Sequence, residues 1–308
     1  MLSKSFLQML KARHTKKNGD LKRLKKAPKW LEPLTAERSY TFSLFLYTYQ
    51  IRKAITDNII PKLPKWLELS TMTYPDPIDP IKNDDIIDDV LADLDSTLNF
   101  IEEILIGPET RAIQAAERTG LEVAEFNGNQ NERIVESVLG VDIFQEEPWL
   151  ETQLELFANQ NAQLIQNMTE NEIERVSGIV QRGLQEGSSL QSVTENIENS
   201  FGITRRHARL IARDQTTKLN ASLTKLRQQD LGITRYRWVT AGDERVRQSH
   251  RVLDDKICRW DDPTVYLDEV SGKWLKRSTI GGTNVHVGSD VNCRCQSFGI
   301  IEDILSDV

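Results

Sequence analysis

Cysteine is scarce, with three residues in 308. That excludes a disulfide-built scaffold and suits a reducing compartment. Glycine and proline number 16 and 10 and follow no fixed period, which argues against fibrous and repeat architectures. No apolar run reaches the ~18 residues that a membrane-crossing helix needs. The N-terminus opens on a charged amphipathic stretch, not on the apolar core of a signal peptide. Neither a P-loop nor a Gly-x-Gly-x-x-Gly is present, and Gly281-Gly282 reads as a turn. With 39% hydrophobic and 28% charged residues, the chain reads as a soluble globular protein made in a cytoplasm. Its length suits one large domain or two ordinary ones.

The net charge of −7 conceals a strong segregation. Residues 1–66 carry 15 Lys/Arg against 4 Asp/Glu, and residues 76–109 carry 11 acids against Lys82 alone. A third block, 205–237, holds 9 Lys/Arg and 2 Asp. Segregation of this kind points to a polyanionic partner at the basic end. The cations available at the N-terminus are Lys4, Lys11, Arg13, Lys16, Lys17, Lys22, Arg23, Lys25, Lys26 and Lys29. They carry no base-reading motif, so duplex DNA would be held non-specifically through its phosphates. Arg205, Arg209 and Arg213 share a helical face beside Arg206; that face can bind anions or can be a solvated surface with local ion pairs.

The apolar spacing predicts an α+β protein: helical N-terminal and middle regions followed by a small C-terminal α+β module. Residues 1–66 form a basic helical region, in which Tyr40–Ile60 reads as a helix packing on something, another subunit among the options. Residues 67–82 form a proline-rich linker, extended because five of the ten prolines fall in 61–80. Residues 83–203 are a run of helices. The first ends at Gly107-Pro108; Glu109–Phe126 and Asn131–Leu139 follow. Thr169-x-x-Glu172 reads as a capping box opening a helix that stops near Gly187. Ser189 caps the next helix and Gly202 closes it. From Thr204 a long helix runs to Asp230, with Gly232 as its stop. Tyr236, Trp238 and Thr240 alternate with Arg235, Arg237 and Val239, the pattern of a strand. The module occupies 204–300 and a short tail 301–308.

All three cysteines and two of the four histidines lie in its turn-rich part, residues 241–300. Thiolate and imidazole are the usual zinc ligands, and Cys293 and Cys295, two apart on an extended segment, face one way. His250, His286 and Cys258 are the candidates to complete a structural zinc site. The other reading is that the cysteines are ordinary buried thiols and the histidines are satisfied by backbone. A metal-dependent nuclease built on His250, His286 and Asn292, with Asp243, Asp254 and Asp290 nearby, has the right residue types but no motif.

Several linked blocks carry a resemblance. Ala212-Arg213-Asp214-Gln215-Thr216-Thr217-Lys218-Leu219-Asn220 is followed by Tyr236-Arg237-Trp238-Val239-Thr240-Ala241-Gly242-Asp243-Glu244-Arg245-Val246-Arg247-Gln248-Ser249-His250. Trp260-Asp261-Asp262-Pro263 comes next, and Asn292-Cys293-Arg294-Cys295 closes the series. In this order they resemble the phage Mu F-like head morphogenesis family of tailed bacteriophages. The family's motif residues fall on Asp243, Arg245, Arg247 and His250, and on Asn292, Cys293, Arg294 and Cys295. An aromatic or aliphatic residue is usual where Cys258 stands, which argues against Cys258 as a ligand. The resemblance implies a non-enzymatic minor head protein within the virion and procapsid. It would bind the portal protein and double-stranded DNA, with scaffolding or major capsid protein as further partners and no membrane. Some relatives carry a toxin domain after this module; 13 residues after Cys295 are too few for one.

Overall fold

The computed structural model describes residues 4–16, 24–25, 27–71, 81–141 and 146–306. It is α+β: long helices precede a small antiparallel sheet near the C-terminus. The helices are α1 (Lys4–His14), α2 (Leu34–Asn58), α3 (Leu63–Thr71), α4 (Ile81–Leu139), α5 (Leu150–Glu186) and α6 (Leu190–Asp230). After them come β1 (Arg235–Val239), the short α7 (Gln248–Arg251), β2 (Ile257–Arg259), β3 (Val265–Asp268), β4 (Lys273–Lys276), β5 (Gln296–Gly299) and α8 (Asp303–Ser306). No described helix is long and apolar enough to cross a membrane.

Contacts group the chain into two compact units that are discontinuous in sequence. One takes in 38–118 and 158–212, the other 1–37, 119–157 and 213–308. The long helices α4, α5 and α6 each contribute to both.

In the first unit, Tyr40, Leu44, Ile51 and Ile55 of α2 are buried in a core with Trp66 of α3 and Leu94 and Ile101 of α4. The aromatic stretch therefore packs chiefly on its own unit. Its opposite face keeps Phe42, Leu46 and Tyr49 outward, at 64%, 51% and 58% exposure. Four sequence expectations fail in this unit. Pro61 and Pro64 do not lie in extended chain: Pro61 sits in a 3-10 turn, Ile60–Lys62, and Pro64 is the second residue of α3, where a missing amide costs nothing. Pro75, Pro77 and Pro80 lie outside the described residues. Gly107-Pro108 does not end a helix, because α4 runs through it. Proline there removes the bond to the Ile104 carbonyl, but Leu98, Ile101 and Leu105 before it and Ala112, Ala115 and Ala116 after it are all buried. Tertiary packing of that continuous face outweighs the local penalty. Gly202 likewise lies inside α6, between the buried Phe201 and Thr204.

The fourth concerns Thr169 and Glu172, which cap nothing, since both lie inside α5. Thr169 pairs with the Tyr47 hydroxyl, and Glu172, fully buried, accepts from Ser200, Thr204 and Arg175. The Thr-x-x-Glu spacing belongs equally to one turn of a helix interior, where the two side chains reach neighbouring helices. Ser189 does cap α6, accepting the Ser192 amide at 3.2 Å.

In the second unit, Leu10 of α1 is fully buried against Ile134, Val138 and Leu139 of α4 and Ile304 and Leu305 of α8. His14 Nε2 bonds the Leu139 carbonyl at 3.0 Å. The Gln130 amide clamps Leu31, accepting from its N–H at 2.6 Å and donating to its C=O at 3.2 Å. No break separates Phe126 from Asn131, because the polar residues of that stretch find partners. Asn127 donates to Asn220 Oδ1 at 2.8 Å and to Thr224 at 2.7 Å, and accepts from Arg227 at 2.6 Å. Arg227 in turn grips both oxygens of Glu147, at 2.5 and 2.7 Å.

The end of α6 positions the sheet. Gly232, at φ +82°, and the Ile233 amide, bonded to the Gln228 carbonyl at 2.9 Å, form a Schellman stop. The chain then enters β1, which lies between β2 and the edge strand β5 in an antiparallel sheet ordered β4-β3-β2-β1-β5. Tyr236 and Trp238 point into the core and Arg235 and Arg237 outward, the alternation read from the sequence.

Replacing Glu172 by Ala leaves two hydroxyls and a guanidinium without their shared acceptor. The change is expected to cost about 3 kcal/mol, read as a lower urea midpoint with an unchanged slope.

Candidate metal centre

The segment preceding β5 carries Asn292, Cys293, Arg294 and Cys295, and α7 carries His250. Two features fix the path of this segment against α6. Gly288, at φ +81°, passes so close to Ala221 that an added Cβ would lie 2.2 Å from the alanine's. The Asp214 carboxylate, also paired with Lys218 at 2.8 Å, accepts the Asn292 amide at 2.6 Å. Asn292 itself holds a left-handed φ of +55°, a conformation asparagine tolerates better than most residues.

The two motif blocks, more than forty residues apart in sequence, are fastened to each other at three points. Arg294 donates to Asp243 at 2.6 Å. Arg247 donates to the Val291 carbonyl at 2.7 Å. His250 bonds Asp290 through Nε2 at 2.7 Å. The arginine beside Asp243 holds its carboxyl below the usual carboxylate range. Arg245 stays largely exposed, 3.9 Å from Asp243.

With Nε2 committed to Asp290, His250 turns Nδ1 towards the cysteines and stands 3.5 Å from each sulfur. Its ring packs edge-on against Trp238, with centroids 5.4 Å apart. The hydrogen bond with Cys293, helped by Asp290, raises the His250 pKa against the opposing effect of burial. Hydrogen bonds from Cys295 and His250 push the Cys293 thiol well below its usual range. The same sharing with Cys293, together with burial, pushes Cys295 up. One thiolate is thus favoured beside one retained proton. A cavity of about 170 Å³ opens onto the group, lined by Arg213, Arg245, Arg247, Asn292 and Arg294. Glu32 acts on the same residues electrostatically; burial raises its carboxyl pKa, with Arg294 and Arg213 opposing.

His250, Cys293 and Cys295 form the cluster able to hold a metal among the described residues. His286 is not part of it. Its Nδ1 lies 3.3 Å from the Tyr236 hydroxyl and its ring packs on Trp260 at 5.3 Å. Burial, then Lys225 and Arg277, depress its pKa to about 4, so it is neutral at pH 7. Cys258 is separate too: it sits on β2 opposite Tyr236, and burial pushes its thiol up. Asp254 accepts the Thr240 amide at 2.8 Å, a turn contact. Sequence reasoning missed Trp238 as a neighbour of His250 and Arg277 as the support of the loop that leads to the site. Arg277 is fully buried, which a lone arginine in a turn-rich stretch does not announce.

The basic residues divide. Arg205 and Arg209 lie over the Phe45 ring at 4.6 and 5.5 Å, whereas Arg213 lines the cavity. Lys16, Lys25 and Lys29 are exposed, Arg13 is exposed and engaged by a partner, and Lys11 is half-buried. Lys17, Lys22, Arg23 and Lys26, like the side chain of Lys4, lie outside what the structure describes.

Residues 174–298 match the family described as Phage Mu protein F like protein. This region is similar to that phage protein family. It begins inside α5, takes in α6 and the fastened motif blocks, and ends in β5. A curated protein of Haemophilus influenzae, described as uncharacterized, is 32% identical over 143 residues; the match spans 46% of this chain and 28% of that protein. No solved structure matches.

The depressed His286 pKa has a pH consequence. The unfolded chain takes up this proton near pH 6.5 and the folded chain only near 4. Stability is therefore full above about pH 6.5 and falls between there and about pH 4. After discounting for partial solvent access, the loss is on the order of 1–2 kcal/mol. His286→Gln is expected to flatten that part of the pH–stability curve in denaturant titrations.

Proposed function

We propose that this protein is a minor head protein of a tailed bacteriophage. It enters the procapsid, binds the portal oligomer, and handles DNA non-specifically during packaging or ejection. The observation that carries this reading is the Mu F-like match, which covers the region where the motif residues fasten two distant blocks. The placement of the basic N-terminus supports the DNA role. Leu10 of α1 and Trp30 belong to one core in the unit that holds β1 to β5, so the described cations Lys16, Lys25 and Lys29 lie between anchored residues. Exposed Lys16, Lys25 and Lys29 suit phosphate contacts.

For the portal, the unit of 38–118 and 158–212 offers an outward ridge of Phe42, Leu46 and Tyr49 at i, i+4 and i+7 on α2. Large apolar and aromatic side chains carry most interface energy. The apolar stripe of the acidic stretch is otherwise engaged: Leu94, Leu98, Ile101 and Leu105 are buried in the unit's own core. A nuclease in the C-terminal module is the weaker reading. Hydrolytic phosphoryl chemistry uses hard, oxygen-ligated cations, and His250 with two cysteines is a soft set. A DNA-binding protein without a capsid role would leave the α2 ridge unexplained.

Two outcomes test the reading. Reversing Lys16, Lys25 and Lys29 to Glu is expected to weaken duplex binding and to flatten the slope of log K against log salt by up to roughly 3, about 0.9 per lost phosphate contact. An unchanged slope removes the N-terminus from DNA binding. Phe42→Asp with Tyr49→Ala is expected to lower co-purification with isolated portal by about 10-fold or more, while the lysine reversals leave it intact. Incorporation into heads that lack the portal would transfer the partner role to scaffolding or major capsid protein.

A further inference from the structure

We propose that His250 Nδ1, Cys293 Sγ and Cys295 Sγ bind one zinc ion, with a water as fourth ligand in the arginine-lined cavity. Zinc takes thiolate sulfur at about 2.3 Å and imidazole nitrogen at about 2.0–2.1 Å, so a tetrahedral site sets each sulfur about 3.6 Å from the nitrogen. His250 Nδ1 stands 3.5 Å from both sulfurs, and the three ligand atoms lie within 4.8 Å of one another. A single ring nitrogen has one proton or one lone pair to offer, so it cannot serve two thiols equally by hydrogen bonding. An ion between all three atoms accounts for the symmetry.

The surroundings fit the same ion. Asp290 accepts from Nε2 at 2.7 Å, the carboxylate–histidine arrangement that fixes the tautomer and raises the basicity of a metal-bound imidazole. Two buried side-chain atoms among the described residues lack a hydrogen-bond partner, Trp238 Nε1 and Asn292 Oδ1, and both residues adjoin this cluster. Buried orphans of this kind call for a specific explanation. An anionic Cys295 sulfur supplies the acceptor that the indole N–H lacks, and a zinc-bound water in the cavity supplies the donor that Asn292 lacks. On binding, zinc displaces the proton retained on the sulfur pair and any proton on Nδ1, and these leave to solvent. The resulting unit of one dication, two thiolates and a neutral imidazole carries no net charge. That makes it compatible with burial and with the arginines around it. Soft sulfur and imidazole donors select zinc over magnesium, calcium and manganese.

The test uses the full chain purified without chelator. Elemental analysis is expected to find close to one zinc per chain. Apo protein titrated with cobalt is expected to show thiolate-to-metal charge transfer and tetrahedral ligand-field bands. Cys293→Ser and His250→Ala are expected to abolish both signals. Because those variants can also disturb folding, Asp290→Asn serves as the second arm. Its far-UV circular dichroism should match the parent, while zinc affinity falls by about 10–100-fold. Less than about one tenth of an equivalent of zinc, with no cobalt spectrum on titration, overturns the proposal. Zinc retained at full level in Cys293→Ser, or a Cys293–Cys295 disulfide in freshly purified protein, overturns it as well.

Discussion

A fully buried guanidinium organises the C-terminal module. Arg277 donates to the Val265 carbonyl at 3.0 Å, to the Val285 carbonyl at 2.8 Å and to the Tyr236 hydroxyl at 3.1 Å, with Trp238 beneath it at 5.3 Å. A buried charge is tolerable only when its donors are satisfied in this way. The acceptors come from β3, from β1 and from the loop that leads to Gly288. Arg277 therefore holds that loop to the sheet, and the loop delivers Asp290 and the cysteines to His250. The site rests on a cation that takes no part in its chemistry.

The fastenings between 243–250 and 290–295 follow from the same constraint. A turn-rich stretch has little regular backbone pairing, so side chains must replace it. Asp243 with Arg294, Arg247 with the Val291 carbonyl, and His250 with Asp290 each bridge the two blocks. Helix α6 adds a rigid backing through Asp214 and through Ala221, which admits only a glycine at 288. The run around Arg213 and Asp214 and the closing Asn292–Cys295 run are thus parts of one structure.

Periodic signals were the readable ones. The β1 alternation, the Gly232 stop, the Ser189 cap and the common facing of Cys293 and Cys295 follow from local spacing, whereas the choice of His250 as their neighbour is made by the fold. Local signals failed where tertiary partners decide. Pro108 and Gly202 read as stops, yet buried faces continue across both. Thr169 and Glu172 read as a cap, yet they serve Tyr47, Ser200 and Thr204. The Asn127–Asn131 stretch reads as a break because it is polar, yet it stays helical with Asn127 satisfied by α6 and Gln130 by Leu31, both distant in sequence. His286 fits a ligand set by residue type, but its place beside Tyr236 and Trp260 depends on the pairing of β1 with β2, which spacing alone does not encode.

The module's composition explains why it needs these devices. Its apolar core consists of Tyr236, Trp238, Leu253, Cys258, Trp260, Tyr266, Val287, Cys293 and Cys295. Those side chains serve short strands and long connections, and chain ordered without regular pairing costs conformational entropy that a small core does not repay. Natural small folds meet the deficit with cross-links: disulfides, metals or buried polar networks. Here three cysteines are free, and the two that adjoin each other are separated by one residue. The remaining cross-links are the Arg277 network, the Asp243–Arg294 pair and the histidine–cysteine cluster. All three converge on the segment that enters β5. Loss of the Arg277 network, of the Asp243–Arg294 pair or of the histidine–cysteine cluster should therefore loosen the module as a whole, because each holds a segment that little regular backbone pairing supports.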